Sequence, residues 1–119
     1  MKTKEIAKRL AELCTKGDFE TAQKELFAAD ATSTEPYETP AFEKEVKGLN
    51  NILAKGQKFV SMVESMNSLS VSEPICSENA IAMTLAMEVT MKEKGQMKMT
   101  ELCVYELKDS KIISERFYM

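Results

Sequence analysis

Glu101, Tyr105 and Glu115, all in the last fifth of this 119-residue chain, are the side chains whose types and spacing suit proton transfer or hydrogen bonding to a ligand oxygen. Alternate residues of a strand face the same side, so each candidate strand separates into two faces. Within 96–108 the odd positions are Met97, Met99, Glu101, Cys103, Tyr105 and Leu107, apolar except for one carboxyl and one phenol. The preceding run, 79–92, carries Ile81, Met83, Leu85, Met87, Val89 and Met91 on its odd face, which is expected to be the core side. A three-residue connection after Lys108 would set Tyr105 opposite Glu115 and Cys103 opposite Phe117, leaving both glutamates and the tyrosine inside. A two-residue turn would reverse the last strand and bring Arg116 inside instead.

A carboxylate turned toward an apolar interior costs several kcal/mol unless it is protonated or hydrogen-bonded. A hollow that admits water or a ligand relieves that cost. So does a place at the wet end of a strand, with bonds to the phenol or to loop amides. Two interior carboxyls also raise each other's proton affinity, which would keep one neutral near pH 7 as a hydrogen-bond donor.

The rest of the composition narrows the chemistry. There is no histidine, which excludes histidine-dependent hydrolytic triads and imidazole-ligated metal sites. Cys14, Cys76 and Cys103 are far apart, in apolar or strand-like surroundings and without a paired metal spacing. They read as buried free thiols, and neither a metal nor another cofactor is expected. The 16 basic and 19 acidic side chains leave a net charge of −3 with no basic cluster, so neither nucleic acid nor an anionic membrane is an expected partner. The four glycines are isolated, which excludes a glycine-rich phosphate loop. Residues 1–16 alternate charged with apolar side chains and no stretch approaches transmembrane length, so a cytoplasmic protein is expected.

The elements that must position these residues follow from periodicity. Ile6, Leu10, Leu13 and Cys14 recur at helical spacing and Gly17 supplies a left-handed stop, predicting a helix over about 2–16. Asp18 caps a second helix with Phe19, Ala22, Leu26 and Phe27 as its buried stripe and an end at 28–30. Residues 31–42, threonine-rich and broken by Pro36 and Pro40, read as short extended pieces at a rim rather than a central strand. Gly48 and Asn50 open a third helix whose apolar face is Ile52, Leu53, Gly56, Phe59, Val60, Val63 and Met66. Everything after Asn67 reads as strand, over 68–76, 79–92, 96–108 and 111–119. Helices first and antiparallel strands last predict one α+β domain over 1–119, with a strongly coiled or bulged sheet. The even face, with Ala82, Thr84, Ala86, Leu102, Val104, Ile112 and Tyr118, is too apolar for a fully solvated sheet, and a sheet-on-sheet homodimer would cover it. Arg116 is expected on that outer side, paired with Glu106 or Glu88.

The stretch Gly17-Asp18-Phe19, then Phe27-Ala28-Ala29-Asp30-Ala31-Thr32-Ser33-Thr34-Glu35-Pro36, resembles the nuclear transport factor 2-like superfamily in its SnoaL-like and ketosteroid-isomerase-like branch. Gly48 and the Tyr105-Glu106-Leu107-Lys108-Asp109-Ser110-Lys111-Ile112 hairpin fit the same pattern, and the likeness spans nearly the whole chain. It implies a cone-shaped fold, three N-terminal helices packed on a strongly curved, mainly antiparallel sheet. Its interior would bind apolar small molecules, commonly in a dimer. Laid onto this sequence, the isomerase-type general base falls on Glu35, but the phenol donor falls on Leu10 and the carboxyl donor on Cys103, so the usual oxyanion apparatus is missing. Glu35 is then expected at the mouth, with Tyr37 and Asp30 near the rim and Tyr105, Glu101 and Glu115 as candidate donors. Tyr37, Phe59, Met83, Met87, Met99, Cys103 and Phe117 would surround an apolar ligand.

Three functions compete. The first is a small-molecule-binding protein whose polar groups fix one end of a ligand while methionines grip its body. The second is an isomerase or cyclase in which Glu35 moves a proton next to a carbonyl. In the third, a structural homodimer, the methionines merely fill the cone.

Overall fold

The computed structural model describes residues 1–119. The chain runs α1 (Thr3–Thr15), α2 (Phe19–Leu26), β1 (Phe27–Thr34), β2 (Glu45–Lys47), α3 (Leu49–Met62), β3 (Val63–Val71), β4 (Ile75–Cys76), β5 (Ala80–Met91), β6 (Gly95–Lys108) and β7 (Lys111–Tyr118). The strands form one seven-stranded sheet in the order β2-β1-β7-β6-β5-β3, with β4 also on β5. Only β1 and β7 run parallel; the other pairs are antiparallel. This is the expected α+β architecture, three helices on the concave side of a mainly antiparallel curved sheet.

Local sequence explains where the helices stop. In α1 the buried stripe is Ile6, Ala7, Leu10, Leu13 and Cys14. Gly17 then turns left-handed at φ +76°, and the Asp18 N–H reaches the Leu13 carbonyl at 2.9 Å, so the last turn closes without orphaned carbonyls. Helix α2 is shorter than its periodicity suggests: Phe27 is already extended and opens β1. In β1, Phe27, Ala31 and Ser33 are buried, and the strand lies one in from the sheet edge rather than at the rim. Its threonines and Ser33 hide this, because a buried serine lowers the apparent hydrophobicity of an interior strand. Helix α3 ends at Met62, so Val63 and Met66 belong to β3, while Val60 is 68% exposed, one residue off the buried stripe.

The final hairpin combines both alternatives posed by the sequence. Asp109 and Ser110 both have positive φ, 52° and 63°, and form a two-residue turn of the mirror-image kind that matches strand twist. A bulge follows immediately, because Leu107 pairs with Ile112 but Glu106 pairs with Ser114, leaving Ile113 without a partner. The extra residue restores the register Tyr105 to Glu115 and Cys103 to Phe117. The two-residue turn, by pairing Ile112 with Leu107 ahead of the bulge, puts Ile112 in the core, correcting its expected place on the outer face. Arg116 does lie exposed, but it makes no ion pair; Glu88 pairs instead with Lys98, its cross-strand neighbour, at 3.2 Å. Leu102 and Tyr118 are exposed on the outer face, as is Ile75 on the neighbouring β4. No helix is long and apolar enough to cross a membrane.

Candidate functional site: three glutamates around one lysine

Strand register lays the concave face out in rows. Ser33, Glu115, Tyr105 and Ile81 make one row across β1, β7, β6 and β5. Phe117, Cys103 and Met83 make the next, followed by Glu101, Leu85 and Val71, and then Met99, Met87 and Leu69. The first row and the β5–β6 part of the second are closed. Ile81, Met83, Cys103 and Tyr105 are all buried, and the Tyr105 ring meets Phe27 edge-on with ring centres 6.4 Å apart. Phe117, Glu101 and Met99 are only half-buried, as are Phe59 and Lys55 on α3 and Glu35 beyond β1. This half-open quarter of the concave face is where a ligand could enter.

Lys55 organises the polar part. Its ammonium donates to Ser33 Oγ at 2.7 Å and to Glu35 Oε1 at 3.2 Å, and it lies 5.7 Å from the centre of the Phe117 ring. A lysine can only donate, so Ser33 must accept from it and has its own hydroxyl proton left for the Glu115 carboxyl it faces across the β1–β7 pair. Lys55 and Ser33 together thus supply the polar surroundings that partly offset the burial of Glu115. No buried side-chain nitrogen or oxygen lacks a partner.

Burial dominates the proton affinities. Glu115, 4% exposed, is pushed up to about 7 by desolvation, and the Ser33 bond and Lys55 charge only partly oppose this. Glu101 is also pushed up to about 7, by desolvation first and by the Glu35 charge second. Both acids are therefore raised into the neutral range, each by its own burial first. Desolvation likewise raises the Cys14 and Cys103 thiols to about 12, which makes them inert packing groups, and lifts Tyr105 well above its usual range.

Several expected site residues are placed differently. Glu101 and Glu115 face inward with Glu35 nearby, and Phe59, Met99 and Phe117 border the opening, with Met87 buried behind them. Tyr105, Cys103 and Met83 instead belong to the closed end, where the core would have to open before they met a ligand. Tyr37 is 57% exposed, its hydroxyl 3.7 Å from the Met119 sulfur, and Asp30 is exposed on β1. Lys55 was missed. It follows Ile52 by three residues and precedes Phe59 by four, so it lies on the buried stripe of α3, and a lone lysine on such a stripe was the available signal. A groove of about 660 Å³ between α3 and the segment leading into β2 includes Lys55 but none of Tyr37, Phe59, Met83, Met87, Met99, Cys103 or Phe117.

A curved sheet closed by three helices, with a polar cluster at its half-open side, defines a cone of the nuclear transport factor 2-like kind. The chain belongs to the SnoaL-like family: the SnoaL-like domain matches residues 1–119. It is similar over 100% of both chains, at 31% identity and TM-score 0.90, to a Mesorhizobium loti protein provisionally named a SnoaL-like polyketide cyclase and carbohydrate phosphatase. Its fold is shared with a nuclear transport factor 2-like protein of unknown function from Burkholderia pseudomallei, at 14% identity and TM-score 0.77, covering 97% of this chain and 88% of that one. A Mycobacterium tuberculosis protein solved with estradiol-17β-hemisuccinate is similar at 14% identity and TM-score 0.76, covering 100% and 95%. A comparison with the curated proteins finds no match.

Proposed function

We propose that the protein binds a small molecule with an apolar body and an oxygen-bearing end at the half-open side of the cone. The body would lie against Phe59, Met99 and Phe117, with the polar end reaching Glu101 and Lys55. The observation that carries this reading is that Glu101, a carboxyl pushed up to about 7, is half-buried on the concave face together with half-buried Phe59, Met99 and Phe117, with the Lys55 and Glu35 charges acting on it. A neutral carboxylic acid there offers a donor to a carbonyl or hydroxyl oxygen. The estradiol ester bound by the Mycobacterium tuberculosis relative has this combination of apolar body and oxygen-bearing end. A homodimer through the outer sheet face, where Leu102 and Tyr118 are exposed, completes the proposal.

The isomerase or cyclase alternative is favoured by the gathering of Glu35, Glu101 and Glu115 and by the name of the Mesorhizobium loti relative. Against it stands the ion pair that commits Glu35 to Lys55. Titration with estradiol-17β-hemisuccinate, followed by native mass spectrometry and calorimetry, tests the binding reading. Saturable binding is expected, weakened about tenfold or more by Phe117→Ala, whose ring borders the opening. Binding that is indifferent to Phe117→Ala and to Glu101→Ala, or no binding with no co-purifying small molecule, would sink the reading. If turnover of a bound molecule is found, loss of rate with retained binding in Glu35→Gln would establish the catalytic alternative.

A further inference from the structure

Glu101 is the one acid of the cluster without a partner in the protein. Lys55 donates to Ser33 and to Glu35, and Ser33 serves Glu115. Glu101 makes no ion pair and no side-chain hydrogen bond. Leu85 lies opposite it on β5 with Val71 of β3 beyond, Met99 and Cys103 flank it on β6, and Phe117 is its diagonal neighbour on β7. The charges that bear on it come from other elements. Lys55 on α3 favours the ionised form, Glu35 beyond β1 opposes it, and Glu115 on β7 shares a like-charge repulsion with it, while the Cys103 thiol, pushed up to about 12, stays neutral. Because the residue is only half-buried, water arriving from the half-open side is left to solvate an ionised Glu101.

We propose that ligand and proton bind here together: a molecule seated on the half-open side displaces the water around Glu101, whose carboxyl then takes up a proton, so that ligand is held at lower pH and released as pH rises. The inference rests on the binding site proposed above and adds its regulation. An apolar body against Phe59, Met99 and Phe117 removes solvent from a carboxyl that has no protein partner, and a charge left there uncompensated is strongly disfavoured. The neutral acid avoids that cost and donates to the ligand oxygen. The sign follows from the same desolvation. In the free site Glu101 is already pushed up to about 7, and occupancy pushes it further the same way, so affinity is full below that value and falls as pH climbs through it. Glu115 gives no such coupling, because it is 4% exposed and faces Ser33 with or without a ligand.

The full chain is titrated with estradiol-17β-hemisuccinate, whose own carboxylate and phenol keep their charge states between about pH 6 and about pH 8.5. Affinity is expected to fall about tenfold or more across that window. Calorimetry near the middle of it, in buffers of different ionisation heat, should show net proton uptake on binding. Glu101→Gln, which keeps a donor without the ionisation, should bind with a flat pH profile and no uptake, and Glu115→Gln should retain both effects. In the parent protein the side-chain carboxyl resonance of Glu101 should titrate at higher pH with the probe bound than without it. Equal affinity at both ends of the window, proton release, an unmoved Glu101 midpoint, or a pH dependence that survives Glu101→Gln would each overturn the coupling and leave the binding site standing. A probe that binds at neither pH would strike the binding site itself, and the coupling with it.

Discussion

Raising the pH from about 5 to about 9 is expected to remove about 3 kcal/mol of unfolding free energy through Glu115 alone. In the native protein its carboxyl is raised from the ordinary 4.5 to about 7, so between those values the folded chain holds a proton that the unfolded chain has released. The stabilisation is fully present below the unfolded value and is lost as pH climbs through the folded one. Glu101 acts in the same direction, by less, because part of its carboxyl remains in water. Glu115→Gln keeps the size and hydrogen-bonding capacity of the protonated acid without the ionisation. Its urea-unfolding curve should therefore match the parent at low pH and show the greater stability at high pH. A parent stability that is flat or rising across this window would refute the buried-acid account. The thiols do not confuse the result, since their ordinary value is 9.0 and their contribution falls away only above it.

The second large effect belongs to Lys55. Lys55→Met keeps the length of the stem but removes the one ammonium among three carboxyls, leaving Glu35 unpaired and Ser33 without its donor. Breaking a pair whose side chains are only 14% and 24% exposed should cost about 2–3 kcal/mol near pH 8. Because Lys55 lowers the proton affinity of both Glu101 and Glu115, its loss moves their titration upward. The cost should accordingly be smaller near pH 5, where Glu101 and Glu115 are already neutral and have no charge left for Lys55 to offset. Glu35→Gln in the Lys55→Met background should recover part of the loss at the higher pH. An equal cost at both pH values, by chemical denaturation, would mean that Lys55 acts through packing alone.

Much of the fold could be read in advance because the signals were local. Gly17 stops α1, and the odd face of β5 and β6 is the interior, each as periodicity required. Edges were harder to read. Val63 and Met66 continue the helical spacing of α3, yet they enter β3, a sheet-edge strand whose residues are mostly exposed and so carry no alternation. In the site, the inward turn of Glu101 and Glu115 was legible from parity, but its cause was not. The bulge at Ile113 has no residue signature of its own and emerges only from the fit of β7 between β1 and β6. Lys55 escaped for a different reason: its aliphatic stem lets a charged residue occupy a buried stripe while its head reaches partners contributed by β1 and the segment beyond it.

Ile113 gives the last hairpin one residue of slack. A sister sequence shortened by that residue would straighten the strand and still present its acid to the interior, since Ser114 already faces Glu106. One that kept the full length but ironed out the kink would present the neighbouring arginine instead. In this family, then, loop length alone is a poor guide to which charge a cone carries inside, and alignments through the hairpin tip have to be anchored on the residues beyond it.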